Sequence, residues 1–183
     1  MSLAERIALV NEKIAAAARQ AGREPSEVTL VAATKVQTSD TIRQAIAAGV
    51  TICGENRVQE MTAHLDDDAY AGAALHFIGH LQTNKVRQVV GRVELIESVG
   101  SEHLLEAIEA QAAKLELVQD ILLEVNIGGE ASKSGISPEE LSALAAQAVG
   151  SPYVRLRGLM AIPPVAAGPD GNRPFLQNAS ALC

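Results

Sequence analysis

Val28-Thr29-Leu30-Val31-Ala32-Ala33-Thr34-Lys35 is the stretch on which the fold turns. A run of aliphatic and β-branched residues without polar alternation has the pattern of a strand buried on both faces, as in a parallel sheet. The expected strand spans Val28 to Thr34. Lys35 closes it where strand meets loop, the rim on which α/β proteins build their sites. An amine held beside an apolar core is partly desolvated, which disfavours its charged form and makes it a nucleophile toward an aldehyde. The plainer reading is a lysine whose stem covers the rim while its ammonium stays in water.

On either side of this stretch, short apolar runs alternate with helical patterns. An amphipathic helix from Leu3 to Ala21, closed by Gly22 and followed by Pro25, precedes it. Further strands are expected at Thr51 to Gly54, Leu75 to Gly79, Val93 to Val99, Asp120 to Ile127 and Val154 to Ile162. Between them, helices are expected at Ser39 to Ala48, Arg57 to Leu65, Thr83 to Val90, Glu102 to Leu115 and Pro138 to Val149. Ser137 and Pro138 read as the cap and first turn of the last of these. Such alternation specifies a parallel sheet with right-handed crossovers, either open and doubly wound or closed as a barrel. No Gly-x-Gly-x-x-Gly follows the first strand, which favours the barrel. A complete (β/α)8 barrel has eight units and typically about 250 residues. Six units are legible here, and the last helical start, Asn172-Arg173-Pro174-Phe175, is followed by no further strand. The expectation is therefore one barrel domain over residues 1–183, short of its last two βα units.

Of the 183 residues, 48% are hydrophobic, enough for a substantial core. Fifteen Lys and Arg stand against 22 Asp and Glu, a net charge of −7. That surface repels phosphate backbones, and with no Trp, two Phe and two Tyr there are no aromatic platforms for bases, so nucleic acid is not an expected partner. Cys53 and Cys183, far apart, read as reduced cytoplasmic usage rather than a disulfide framework. No segment has the apolar length of a membrane span, and Met1-Ser2-Leu3-Ala4-Glu5-Arg6 lacks a signal pattern; a cytoplasmic location is expected.

Four further segments follow or close the strands. They are Gly54-Glu55-Asn56-Arg57-Val58-Gln59-Glu60, His76-Phe77-Ile78-Gly79-His80-Leu81-Gln82-Thr83-Asn84-Lys85, Asn126-Ile127-Gly128-Gly129-Glu130-Ala131-Ser132-Lys133-Ser134-Gly135, and Arg157-Gly158-Leu159-Met160-Ala161-Ile162-Pro163. With Thr34-Lys35, the chain resembles the pyridoxal phosphate homeostasis proteins, which share a fold with the N-terminal barrel of alanine racemase. The resemblance runs from the first helix to about Phe175. It implies a TIM-type barrel of the alanine racemase N-terminal type, with pyridoxal 5'-phosphate held as an internal aldimine on Lys35. It places Asn56, Gln82, Asn84 and Met160 on the cofactor side. It further implies vitamin B6 homeostasis without substrate turnover, with cofactor-accepting enzymes as partners and a monomer or weak homo-oligomer as the assembly. The rival reading is a racemase-like enzyme acting on amino acids. Family members continue into a seventh and eighth strand whose loops hold the phosphate, so these 183 residues alone are expected to bind the cofactor weakly or not at all.

Each residue also has a plainer role. Asn56 is a candidate cap for the helix beginning at Arg57, and Gln82 and Asn84 for the one that follows them. Met160 suits a core filler. Lys85 reads as a solvated or carboxylate-paired charge, and Lys133 as an exposed loop lysine. Gly128 to Ser134 approaches a nucleotide-phosphate loop, but Ser132 stands where glycine must precede the lysine. His76 and His80 share a face if the segment is extended, yet a third metal ligand at recognisable spacing is missing.

Overall fold

Helix α1 (Leu3–Gln20) begins where the sequence supplies a reciprocal cap. The Ser2 hydroxyl accepts from the Glu5 N–H at 3.2 Å, and the Ser2 N–H donates to the Glu5 carboxylate at 2.6 Å. Then come β1 (Val31–Ala33), α2 (Ser39–Ala47), β2 (Ile52–Glu55), α3 (Val58–Asp66) and β3 (Ala74–Phe77). A 3-10 helix (Thr83–Gln88) leads to β4 (Leu95–Val99), α4 (Glu102–Lys114), β5 (Gln119–Glu124), α5 (Leu141–Gly150), β6 (Val154–Met160) and α6 (Arg173–Ala181). This computed structural model describes residues 1–130, 133–165, 168 and 170–182. Strand order follows chain order, β1 to β6, as expected of successive βα units.

The chain divides into two compact units, residues 1–76 and 77–183. In the first, β1 and β2 pair in parallel with Val31 opposite Ile52 and Ala33 opposite Gly54. Its core holds Ile7, Ile42, Cys53, Val58, Met61 and Leu75. In the second, β4 pairs with β5 and β5 with β6, both in parallel. Ile96, Leu105, Ile108, Ile121 and Leu123 are fully buried there.

Four expectations are corrected. The first strand is three residues, not seven, because Val28 closes a 3-10 turn at Pro25–Glu27 and Thr29 and Leu30 lie before the ladder. It is also not buried on both faces: it stands at the end of the strand order, Val31 and Ala32 are half-buried, and Ala33 is exposed. Residues 83–90 do not form an α-helix. Lys85 and Val89 bond three residues back, to Gln82 and Val86, in the tighter 3-10 pattern. Finally, Ser137 does not cap α5. The Glu140 carboxylate accepts from the Ser137 N–H at 2.9 Å and closes a turn, so the helix starts one turn later at Leu141.

Candidate functional site

In residues 1–76 the site is the turn from β1 into α2. Thr34 is buried, and its hydroxyl donates to Glu55 Oε1 at 2.6 Å while its N–H bonds Gly54 O at 2.9 Å. Val36, at φ 56°, is a β-branched residue in the left-handed region, a strained conformation that persists only when its surroundings hold it. Its N–H donates to Glu60 Oε2 at 2.9 Å, which holds that carboxyl below its ordinary range with help from Arg57 at 3.0 Å. Gln37 O accepts from His64 Nε2 at 3.1 Å.

These anchors converge on one buried carboxylate at the end of β2. Glu55 has no solvent exposure, and its Oε1 also receives the Tyr70 hydroxyl at 2.8 Å and lies 3.2 Å from His64 Nδ1. Burial and the Glu55 charge push the Tyr70 phenol far above its ordinary value, so it serves as a donor. Glu55 Oε2 has no partner among the described residues.

Lys35 stands between these anchored residues, and among the described residues its side chain makes no hydrogen bond or ion pair. It is exposed, which corrects the expectation of an amine desolvated by the strand: the apolar neighbours that would desolvate it are themselves open to water. Asn56 does not cap α3. Arg57 occupies the cap position without a side-chain bond, and Asn56 Oδ1 is buried with no partner among the described residues. A buried acceptor of this kind is costly unless something donates to it.

In residues 77–183 polar groups gather at the ends of β4 and β5. A cavity of about 380 Å³ is bordered by Gln82, Ser98, Gly100, Ser101, Glu124 and Ser134, among others. Burial pushes the Glu124 carboxyl up, with His80 opposing. Gly100 and Gly135 allow their backbones to touch: a Cβ on Gly100 would meet Gly135 Cα at 2.9 Å. Gln82 precedes the 3-10 helix without capping it, Asn84 is exposed within that helix, and Met160 ends β6 half-buried with its carbonyl accepting from Val125 at 2.9 Å. Lys133 is not a free loop lysine; it pairs with Glu130 at 2.6 Å and donates to Pro163 O at 3.1 Å. Ala131 and Ser132 of that loop, and Cys183, lie outside the described residues. His76 is buried and His80 exposed, and among the described residues no cluster of His, Cys, Asp and Glu could hold a metal ion. No described helix is long and apolar enough to cross a membrane.

The sequence pointed to Gly54–Glu60 as a rim segment without giving Glu55 or Glu60 a task. It gave no sign of His64 or Tyr70, whose roles arise from contacts to residues far away in the chain.

The chain is similar to several known proteins. The alanine racemase N-terminal domain family matches residues 10–182. A pyridoxal phosphate homeostasis protein of Aquifex aeolicus is 38% identical over 182 residues, covering all of this chain and 80% of the relative. The structure of PipY of Synechococcus elongatus with pyridoxal phosphate bound superposes with a TM-score of 0.82 at 29% identity, over 99% of this chain and 80% of that one. Alanine racemase of Clostridium difficile, at 10% identity, shares the fold with a TM-score of 0.69 over 85% of this chain and 41% of its own.

Proposed function

The chain belongs to the alanine racemase N-terminal domain family, with pyridoxal phosphate homeostasis proteins among its relatives, and on that premise we propose that it binds pyridoxal 5'-phosphate and serves vitamin B6 homeostasis. Lys35 is the residue that carries the cofactor. The observation that supports this is the unpaired, water-accessible amine of Lys35 on a turn whose flanking residues are all anchored. The residues present suit the group: Lys35 offers the amine an aldehyde needs, and Asn56 Oδ1, buried and without a partner among the described residues, offers an acceptor. Condensation joins Lys35 Nζ to the aldehyde carbon as C=N and releases one water, with no oxidant required. When bound, the cofactor supplies an electrophilic, electron-withdrawing ring, and the protein's share is to hold and orient it. By resemblance to the family, Gln82, Asn84 and Met160 are further residues proposed to contact the cofactor. The role is carriage of the cofactor and its release to acceptor enzymes, without turnover.

Borohydride trapping tests the reading. After mixing with pyridoxal phosphate, reduction and digestion, mass spectrometry is expected to find the modification on Lys35 and to lose it in Lys35→Ala. Scattered labelling that ignores the substitution overturns the assignment. Incubation with single amino-acid enantiomers and chiral chromatography tests the absence of turnover; racemised product would make the protein an enzyme.

A further inference from the structure

We propose that Glu55, Glu60, His64 and Tyr70 are positioning residues, which hold the strained turn at Val36 so that Lys35 is presented to a carbonyl ligand. The inference rests on the assignment of Lys35 as the cofactor-bearing residue and extends it to groups that act through the Lys35 turn.

Three residues around Lys35 are each tied to β2 or α3 by a different contact. Thr34 is held by Glu55, Val36 by Glu60 and Gln37 by His64, at 2.6, 2.9 and 3.1 Å. Tyr70 joins the set from beyond α3, within 2.8 Å of Glu55 and 3.1 Å of His64. The His64 ring nitrogen facing Gln37 O must carry a proton to bond a carbonyl, which leaves Nδ1 directed at Tyr70 and Glu55. The ring therefore links the turn to the buried carboxylate from its two opposite edges.

Val36 shows that this anchoring does work against the backbone. Val36 is 76% exposed, so packing does not offset the left-handed conformation; the Gln37 N–H closes the turn on Thr34 O at 3.1 Å, and the bond from the Val36 N–H to Glu60 is the side-chain restraint added at that residue. Without the Glu60 bond the Gln37-to-Thr34 turn bond opposes the strain with no partner from α3 at Val36, so Val36 relaxes more readily toward negative φ, which rotates the peptide joining it to Lys35 and redirects the amine. A lysine whose direction is no longer fixed reacts more slowly, because orientation contributes to the rate of bond formation.

The test is the rate of borohydride trapping at Lys35 in the full chain, measured below the unfolding midpoint of every variant. Glu60→Ala is expected to slow trapping about tenfold, and Glu60→Gln, whose side-chain oxygen still accepts from Val36, to stay near wild type. Val36→Gly placed in the Glu60→Ala background is expected to recover most of the rate, since glycine holds the same φ without strain. A purely stabilising role for Glu60 predicts instead that trapping is unchanged while only the melting temperature falls, and that result overturns the proposal. Trapping at wild-type rate in both Glu60→Ala and His64→Ala overturns it equally. Absence of Lys35 labelling in the wild-type chain is a different failure, which removes the assignment of Lys35 itself and the inference with it.

Discussion

The Thr34 hydroxyl donates to Glu55 Oε1 at 2.6 Å, so the residue preceding Lys35 is bound across the parallel β1 and β2 pair to a carboxylate that has no contact with solvent. A charge in that position is tolerated only when donors face it, and the Thr34 and Tyr70 hydroxyls are those donors. The same contact that satisfies the acid fixes the end of the strand.

Removal of one donor tests this directly. Tyr70→Phe keeps the ring and deletes the hydroxyl, leaving Glu55 with one bond fewer in a site that water does not reach. A loss of about 1–3 kcal/mol is expected, read by denaturant unfolding. A loss below about 0.5 kcal/mol would show that the hydroxyl contributes little to holding the carboxylate.

Asn56 separates a structural from a ligand role. Its Oδ1 is buried without a partner among the described residues, so Asn56→Leu is expected to leave stability unchanged or raise it by up to about 1 kcal/mol. If the oxygen meets the cofactor, affinity for pyridoxal phosphate should fall about tenfold in a fluorescence titration. Unchanged affinity would remove Asn56 from the site.

Cys53 carries the clearest pH signature. It is fully buried in β2, and burial together with the Glu55 charge pushes its thiol from 9.0 up to about 11. A group that holds its proton more tightly when folded adds stability below its unfolded value and loses it as pH rises toward the folded one. Unfolding free energy should therefore decline between pH 9 and pH 11, and Cys53→Ala should flatten that part of the profile. Peptide mapping after alkylation at pH 8 is expected to find Cys53 unmodified until denaturant is added.

Two glycines in the loop after β5 should differ. Gly135, at φ 104°, would place a Cβ 2.9 Å from both Asn126 N and Glu124 O, which are backbone atoms in the bridge between Val125 and Ile136. Gly129, at φ 64°, has open space around it. Gly135→Ala should cost about 2–4 kcal/mol and Gly129→Ala about 1 kcal/mol, compared by thermal unfolding. Equal costs would mean that the contact beside Glu124 relaxes freely.

Most of the element order was legible because alternation of apolar runs with helical spacing is a local signal, and α1, α2, α4 and β2 fall within one residue of expectation at each end. The errors have physical causes that local patterns do not carry. Val28 and Leu30 are as apolar as Val31, and only the register with Ile52 shows where the ladder starts. Ser137 and Pro138 have helix-start chemistry, yet Glu140 folds back and turns that chemistry into a turn. At the site, Lys35 was legible as the cation ending an apolar run and Asn56 as part of a polar segment. Glu55, His64 and Tyr70 converge only after β2 and α3 have packed, so no spacing in the chain announces them.

The anchors of the Lys35 turn also set an order of events during synthesis. Thr34, Val36 and Gln37 find their partners 21, 24 and 27 residues later, and Tyr70 closes the set. A ribosome that has released only β1 and α2 has released a lysine with nothing to direct it. The turn therefore matures after α3 and Tyr70 have emerged, and a nascent chain arrested before that point carries the Lys35 amine on an unconstrained segment, where it behaves as any surface lysine toward aldehydes in the cell.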